Sequence, residues 1–78
     1  MKIKVLFFGA TADAAGKREM MFKTSASDAG SALSEIVGTM PSLATHKLLF
    51  AVNEAYVDRS AILNEGDELA IFTAVSGG

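Results

Sequence analysis

One segment constrains the fold more than any other. Leu33, Ile36, Val37 and Met40 fall at i, i+3, i+4 and i+7, a single apolar stripe of helical period. Pro41 follows at once, and a residue before proline is pushed out of the helical region, so the helix stops at Met40. Upstream, Thr24-Ser25-Ala26-Ser27-Asp28 offers N-cap candidates, and Asp28 in the first turn suits the positive end of the helix dipole. Gly30 and Gly38 each cost this helix up to about 1 kcal/mol relative to Ala, so packing has to hold it. No second long helix is available, and the stripe must be buried against strands.

The flanking sequence supplies them. Residues 2–9 are rich in β-branched and aromatic side chains and split by the strand period of two. Ile3, Val5 and Phe7 form an apolar face, whereas Lys2, Lys4, Leu6 and Phe8 form a face that begins polar and ends apolar. Gly9 to Lys17 reads as a short irregular or one-turn helical connection closed by Gly16. Residues 18–24 alternate again, with Met20 and Phe22 opposite Glu19, Met21 and Lys23, and pair with the first strand as a hairpin. After a loop from Pro41 to His46, residues 47–52 make a nearly continuous apolar strand of the kind buried inside a sheet. Asn53-Glu54 turns the chain into a short strand at residues 55–57. Ile62 and Leu63 cap a connection that ends in the turn signal Asn64-Glu65-Gly66-Asp67. Residues 68–73 form the last strand, with Leu69 and Ile71 on one face and Ala70 and Phe72 on the other.

Strand, strand, helix, strand, short strand, strand is an α+β order: a mixed sheet of about five strands with one main helix on one face. The other face has no helix to cover it. If the first and last strands present their outer residues together, Leu6, Phe8, Ala70 and Phe72 form an apolar patch there, which Tyr56 joins from the short strand. An exposed aromatic cluster on so small a protein marks a partner site.

Composition removes many alternatives. A chain of 78 residues is one domain, 1–78, and buries only about 60–65% of its unfolded surface, so a partner adds usefully to its core. With no cysteine there is no disulfide, thiolate nucleophile or cysteine zinc site, which fits a reducing cytoplasm. His46 is the only histidine, too few for a metal centre or a Ser-His-Asp triad. The glycines match no phosphate loop or dinucleotide fingerprint. Glu65, Asp67 and Glu68 cluster as a solvated turn rather than a general acid/base pair. The methionines read as core filler. A net charge of −2 gives no reason to expect nucleic acid. Residues 1–23 balance at +3 (five basic, two acidic) and the remainder at −5 (two basic, seven acidic), a polarity that can steer a basic partner to the C-terminal half. The apolar run after Met1-Lys2-Ile3-Lys4 is too short for a signal peptide, and none reaches the ~20 residues of a membrane span.

What remains is the end, Ala74-Val75-Ser76-Gly77-Gly78. Glycine has no Cβ, so such a tail can thread a channel too narrow for other residues. Its terminal carboxylate is then the reactive group, although chain ends rich in glycine also occur as inert, disordered tails.

Lys4-Val5-Leu6-Phe7-Phe8, Ala51-Val52-Asn53, Leu63, Gly66-Asp67-Glu68 and Phe72 through Gly78 together resemble the small-subunit family of molybdopterin synthase, sulfur carriers with a ubiquitin-like β-grasp fold. That resemblance implies a substrate-like protein rather than an enzyme with its own active site. An ATP-dependent adenylyltransferase of the ubiquitin-activating type adenylates Gly78, sulfur replaces the adenylate as a thiocarboxylate, and the tail enters the large synthase subunit of a heterotetramer. There sulfur passes to a cyclic pyranopterin precursor, and two such transfers build the dithiolene. It implies roles at Gly78 and the adjoining Gly77, and partner contacts at Leu6, Phe8, Tyr56, Phe72 and Val75. No cofactor is bound by the chain itself; ATP belongs to the activating enzyme, and basic residues for the anionic pterin belong to the large subunit. The family has two prolines where this chain has Thr73 and Ala74, which implies a more flexible tail over about 74–78. The same chemistry suits a carrier for thiamine thiazole or another cofactor. A protein modifier joined through Gly78 to lysines, or a plain interaction module, are the other readings.

Overall fold

The computed structural model describes residues 1–74. Strand β1 (Lys2–Phe7) is followed by helix α1 (Ala10–Ala15), then strand β2 (Glu19–Lys23) and helix α2 (Ala29–Thr39). A short 3-10 helix (Pro41–Thr45) leads into strands β3 (Leu48–Val52), β4 (Ala55–Tyr56) and β5 (Glu68–Thr73). The strands form one sheet in the order β2-β1-β5-β3-β4. At its centre β1 and β5 run parallel, from Lys4 beside Glu68 to Phe7 beside Ile71. The β1–β2 and β3–β5 pairs are antiparallel, so the sheet is mixed, as expected.

The α2 helix covers one face. Asp28 is its N-cap rather than a first-turn residue: the backbone is extended there, and the carboxylate accepts a 2.9 Å bond from Ser31 N–H. The helix ends at Met40 as Pro41 requires. Its buried face departs from the expected stripe. Ala29, Ala32, Leu33 and Ile36 are buried at the same i, i+3, i+4, i+7 spacing, one turn nearer the N-terminus, while Val37 and Met40 are half-buried at the edge. Alanine is small enough to bring the helix close to the sheet, and hydrophobic periodicity does not single it out.

Gly30 has its own packing reason. A Cβ there would lie 2.7 Å from Arg59 Cβ and 2.8 Å from its Nε. In that space Gly30 N–H donates to Arg59 O at 2.8 Å, and Arg59 Nη2 donates to Gly30 O at 3.0 Å. The segment between β4 and β5 is thereby strapped onto the start of α2.

The core between helix and sheet is built from Ile3, Val5, Phe7, Leu69 and Ile71, with Leu43 from the 3-10 helix and Leu63 from the last connection. The parity read for β1 and β5 holds throughout. For β3 it needs correction: Leu49 is exposed and Leu48 and Phe50 are only half-buried. Its continuous apolar run does not signal cover on both sides, because one side of this sheet carries no layer. Ile62 likewise is exposed, and only Leu63 of that pair enters the core. Asn53 and Glu54 both take positive φ (49° and 68°), the two-residue hairpin turn that matches strand twist. No described helix is long and apolar enough to cross a membrane.

Candidate functional site: the uncovered sheet face

Alternation places Leu6, Ala70, Phe72, Leu49, Ala51 and Tyr56 on the face away from α2, with Phe8 just beyond the end of β1. Register aligns them across the sheet. Leu6 stands beside Ala70, Ala70 beside Ala51, and Ala51 beside Tyr56; one step along, Phe72 stands beside Leu49. Tyr56 and Phe72 meet edge to face across β3, ring centroids 5.9 Å apart. Phe8 is 51% exposed, Leu49 37% and Tyr56 82%, so this apolar surface is open to solvent. A cleft of about 600 Å³ adjoins it, lined by Leu6, Phe8, Gly9, Ala12, Asp13 and Arg18 among others.

The opposite end of the same face is mixed, with charged groups around Met21, which stands beside Lys4 in register and is 58% exposed. Lys4 Nζ lies 3.5 Å from a Glu19 carboxylate oxygen, and Glu68 neighbours Lys4 in register. The face therefore runs from ion-paired to aromatic in the direction in which β5 travels toward the C-terminus. The four core-domain residues expected at a partner contact, Leu6, Phe8, Tyr56 and Phe72, are brought together here. Val75, Gly77 and Gly78 lie outside the described residues. Sequence reasoning missed Leu49, since its neighbours Leu48 and Phe50 made the strand read as wholly buried. The register with Phe72 is the signal that assigns it.

The turn carboxylates are engaged in structure. Glu65 Oε1 accepts from Lys2 N–H at 3.0 Å, and Asp67 accepts from Asn53 Nδ2 at 3.0 Å and from Asn64 N–H at 2.8 Å. The Asn53 bond, followed by that from Asn64, holds the Asp67 carboxyl below the usual carboxylate range. Asn53 Oδ1 in turn accepts from Glu68 N–H at 3.0 Å, so the group locks the β3–β4 turn to the start of β5. Among the described residues no cluster of three or more His, Asp or Glu side chains could hold a metal ion.

A family model described as the ThiS family matches residues 5–78. The chain belongs to the ThiS family. Among curated relatives, the molybdopterin synthase sulfur carrier subunit of Arabidopsis thaliana is 37% identical over 81 residues, covering 100% of this chain and 84% of the relative. The family resemblance read from the sequence is thus borne out. Among solved structures, small archaeal modifier protein 1 (SAMP1) of Haloferax volcanii is 26% identical with a TM-score of 0.85, covering 100% of both chains. The complex of subunits 1 and 2 of the molybdopterin-converting factor from Helicobacter pylori contains a chain 25% identical, TM-score 0.72, again covering 100% of both. The five-stranded mixed sheet with one main helix is the ubiquitin-like β-grasp fold, and the fold class read from the sequence holds.

Proposed function

We propose that the chain is the sulfur carrier of a molybdopterin synthase, with the Gly78 carboxylate as its reactive group. The single observation that carries this reading is the placement of the aromatic end of the open face. Phe8, Leu49 and Phe72 lie together at the C-terminal end of β5, with Tyr56 packed edge to face against Phe72, and β5 is the strand that leads to Gly77-Gly78. A partner seated on that surface receives the chain end in its own active site. The relatives' names support the same reading, and the Helicobacter pylori complex of two converting-factor subunits supports a large-subunit partner.

The chemistry follows from the carboxylate. Its oxygen is a poor leaving group, so it attacks the α-phosphorus of ATP in an adenylyltransferase, forming an acyl-adenylate and releasing pyrophosphate. Sulfur at the sulfide level then displaces AMP and leaves a thiocarboxylate, a soft nucleophile in the way thiolates are. That sulfur attacks a carbon of the pyranopterin precursor, and the C–O bond at that carbon breaks, its oxygen substituent leaving with the bonding pair and a proton from water. Water must cleave the acyl C–S bond for the sulfur to stay on the acceptor, and this returns Gly78 as a carboxylate. The chain itself contributes docking and delivery. ATP is held by the activating enzyme and the pterin by the large subunit.

Incubation with ATP, a ubiquitin-activating-type adenylyltransferase and a sulfide donor tests this by intact mass. The expected product is the chain with one oxygen exchanged for sulfur at Gly78; an unaltered mass overturns the reading. Adding the large subunit and the pterin precursor then separates this carrier from one serving thiamine or another cofactor.

The likeness to a small archaeal modifier favours a second reading, conjugation of Gly78 to lysines through an isopeptide bond. A ladder of conjugates in cell lysate, detected through the remnant Gly-Gly on lysine, is the outcome that selects it.

A further inference from the structure

Taking the open face as the docking surface proposed above, we infer that Thr11 is a positioning residue for it. Thr11 is fully buried, one of two buried polar residues in the described chain. Its hydroxyl sits where the two central strands part. β1 and β5 run side by side as far as Phe7 and Ile71; then Gly9, at φ 56°, turns the chain into α1 while β5 continues through Phe72 to Thr73.

At that fork the hydroxyl replaces the missing strand. Thr11 Oγ1 lies 2.7 Å from Phe8 O and 2.8 Å from Ile71 O, so its one proton is shared between the two carbonyls. As acceptor it takes the Phe8 N–H at 3.0 Å, which also reaches Ile71 O at 3.1 Å. Thr11 N–H donates to Phe8 O at 3.1 Å. Both backbone polar groups of Phe8 and the carbonyl of Ile71 are thus tied to one side chain.

Phe8 and Phe72 are the aromatic residues attached to those atoms, Phe72 through its bond to Ile71. Thr11 fixes how far apart their backbones stand, and it anchors β5 seven residues before Gly78. The hydroxyl does not touch a partner; it acts by holding the docking residues in one arrangement. A valine would fill the same volume but supply no proton. Phe8 O and Ile71 O would each keep a single donor, and the corner would be free to shift.

The test uses the full chain and its large synthase subunit, titrated at 15 °C, with four variants. Ile36→Val removes one buried methylene remote from the face and serves as a destabilised control. We expect Thr11→Val to weaken binding by about tenfold or more, Thr11→Ser to bind like the parent, and Ile36→Val to bind like the parent whatever its melting temperature. Phe72→Asp monitors the face itself. Thr11→Val binding no worse than Ile36→Val overturns the inference, as does Thr11→Ser binding as poorly as Thr11→Val. Loss with Phe72→Asp but not with Thr11→Val overturns the role of Thr11 alone. Unimpaired binding by Phe72→Asp, or no binding by the parent chain, overturns the docking face and this role with it.

Discussion

Tyr56 and Phe72 meet edge to face with their planes at 69°, although they stand on strands β4 and β5 with β3 between them. The contact crosses over β3 at Ala51, the register partner of Tyr56, whose methyl leaves room for it. Such a pair contributes about 0.5–1.5 kcal/mol beyond the area it covers. Tyr56 remains 82% exposed all the same, so the pair is preformed at the surface rather than used to fill a core. Preformed aromatic surface is what association exploits, because little side-chain freedom remains to be lost on docking.

Replacing Phe8 by Asp puts a charge on that surface at a residue 51% exposed. Stability should change by less than about 1 kcal/mol, as for most surface substitutions. Affinity for the large subunit should fall by at least about a hundredfold, the scale of a lost central anchor. Calorimetric titration beside thermal unfolding separates the two. A large fall in melting temperature would move Phe8 into the core.

Leu33→Ala should do the reverse. Leu33 is 6% exposed in the contact between α2 and the sheet, and truncations of this kind cost about 2–5 kcal/mol. Val37→Ala, on the half-buried edge of the same helix, should cost less than half as much. Equal losses in denaturant unfolding would restore the stripe read from periodicity and contradict the shifted one.

The two helical glycines should respond with opposite signs. Gly38→Ala meets nothing within 4 Å and should stabilise α2 by up to about 1 kcal/mol, the propensity difference. Gly30→Ala gains the same propensity but drives a methyl to 2.7 Å from Arg59 Cβ, an atom fixed to the backbone. The strap from Arg59 must then lift off, losing its bonds to Gly30, and the variant should be less stable than the parent. Melting temperatures of the two variants decide the point; a stabilised Gly30→Ala would show that the strap contributes nothing.

Strand parity and the helix stop at Pro41 were legible because each depends on neighbours in sequence. Ile3, Val5 and Phe7 had to face the helix once period two was recognised, and Leu6 and Phe8 had to face away. Leu49, Gly30 and Thr11 were not legible, for one shared reason. Each owes its role to a residue far along the chain: Phe72 for Leu49, Arg59 for Gly30 and Ile71 for Thr11. No local pattern encodes those distances. The residues of β1 and β5 proposed to dock a partner could be grouped only because parallel pairing brings these two strands together at the sheet centre.

Acid should weaken the fold in a defined window. Hydrogen bonds from Asn53 and Asn64 favour ionised Asp67 and lower its pKa in the folded chain. A carboxylate lowered in this way adds stability above its unfolded pKa, about 3.9, and that stability disappears as pH falls through the folded value. Asp28, Glu35 and Asp58 are lowered as well, chiefly by bonds from Ser31, Ser25 and Ser60, and act in the same direction. The carboxylate part of stability should therefore stay level from pH 7 to about 5 and decline below about 4. Asp67→Asn should be less stable than the parent at pH 7, with the gap closing toward pH 3. A gap of constant size across that range would remove Asp67 from the acid response.

The last prediction concerns the chain end. Adding one residue after Gly78, or deleting Gly78, displaces the terminal carboxylate by one residue length, about 3.3–3.6 Å in an extended chain. Reacting atoms must approach within about 3–3.5 Å in near-attack geometry, so a displacement of that size removes the carboxylate from the α-phosphorus altogether. Neither change touches β5, which ends at Thr73, and thermal unfolding should match the parent. Binding to the large subunit through Phe8, Tyr56 and Phe72 should also survive, while sulfur loading, read as intact mass, is abolished in both variants. A variant that still acquires sulfur would place the reactive group elsewhere in the chain and separate the docking face from any role in delivering Gly78.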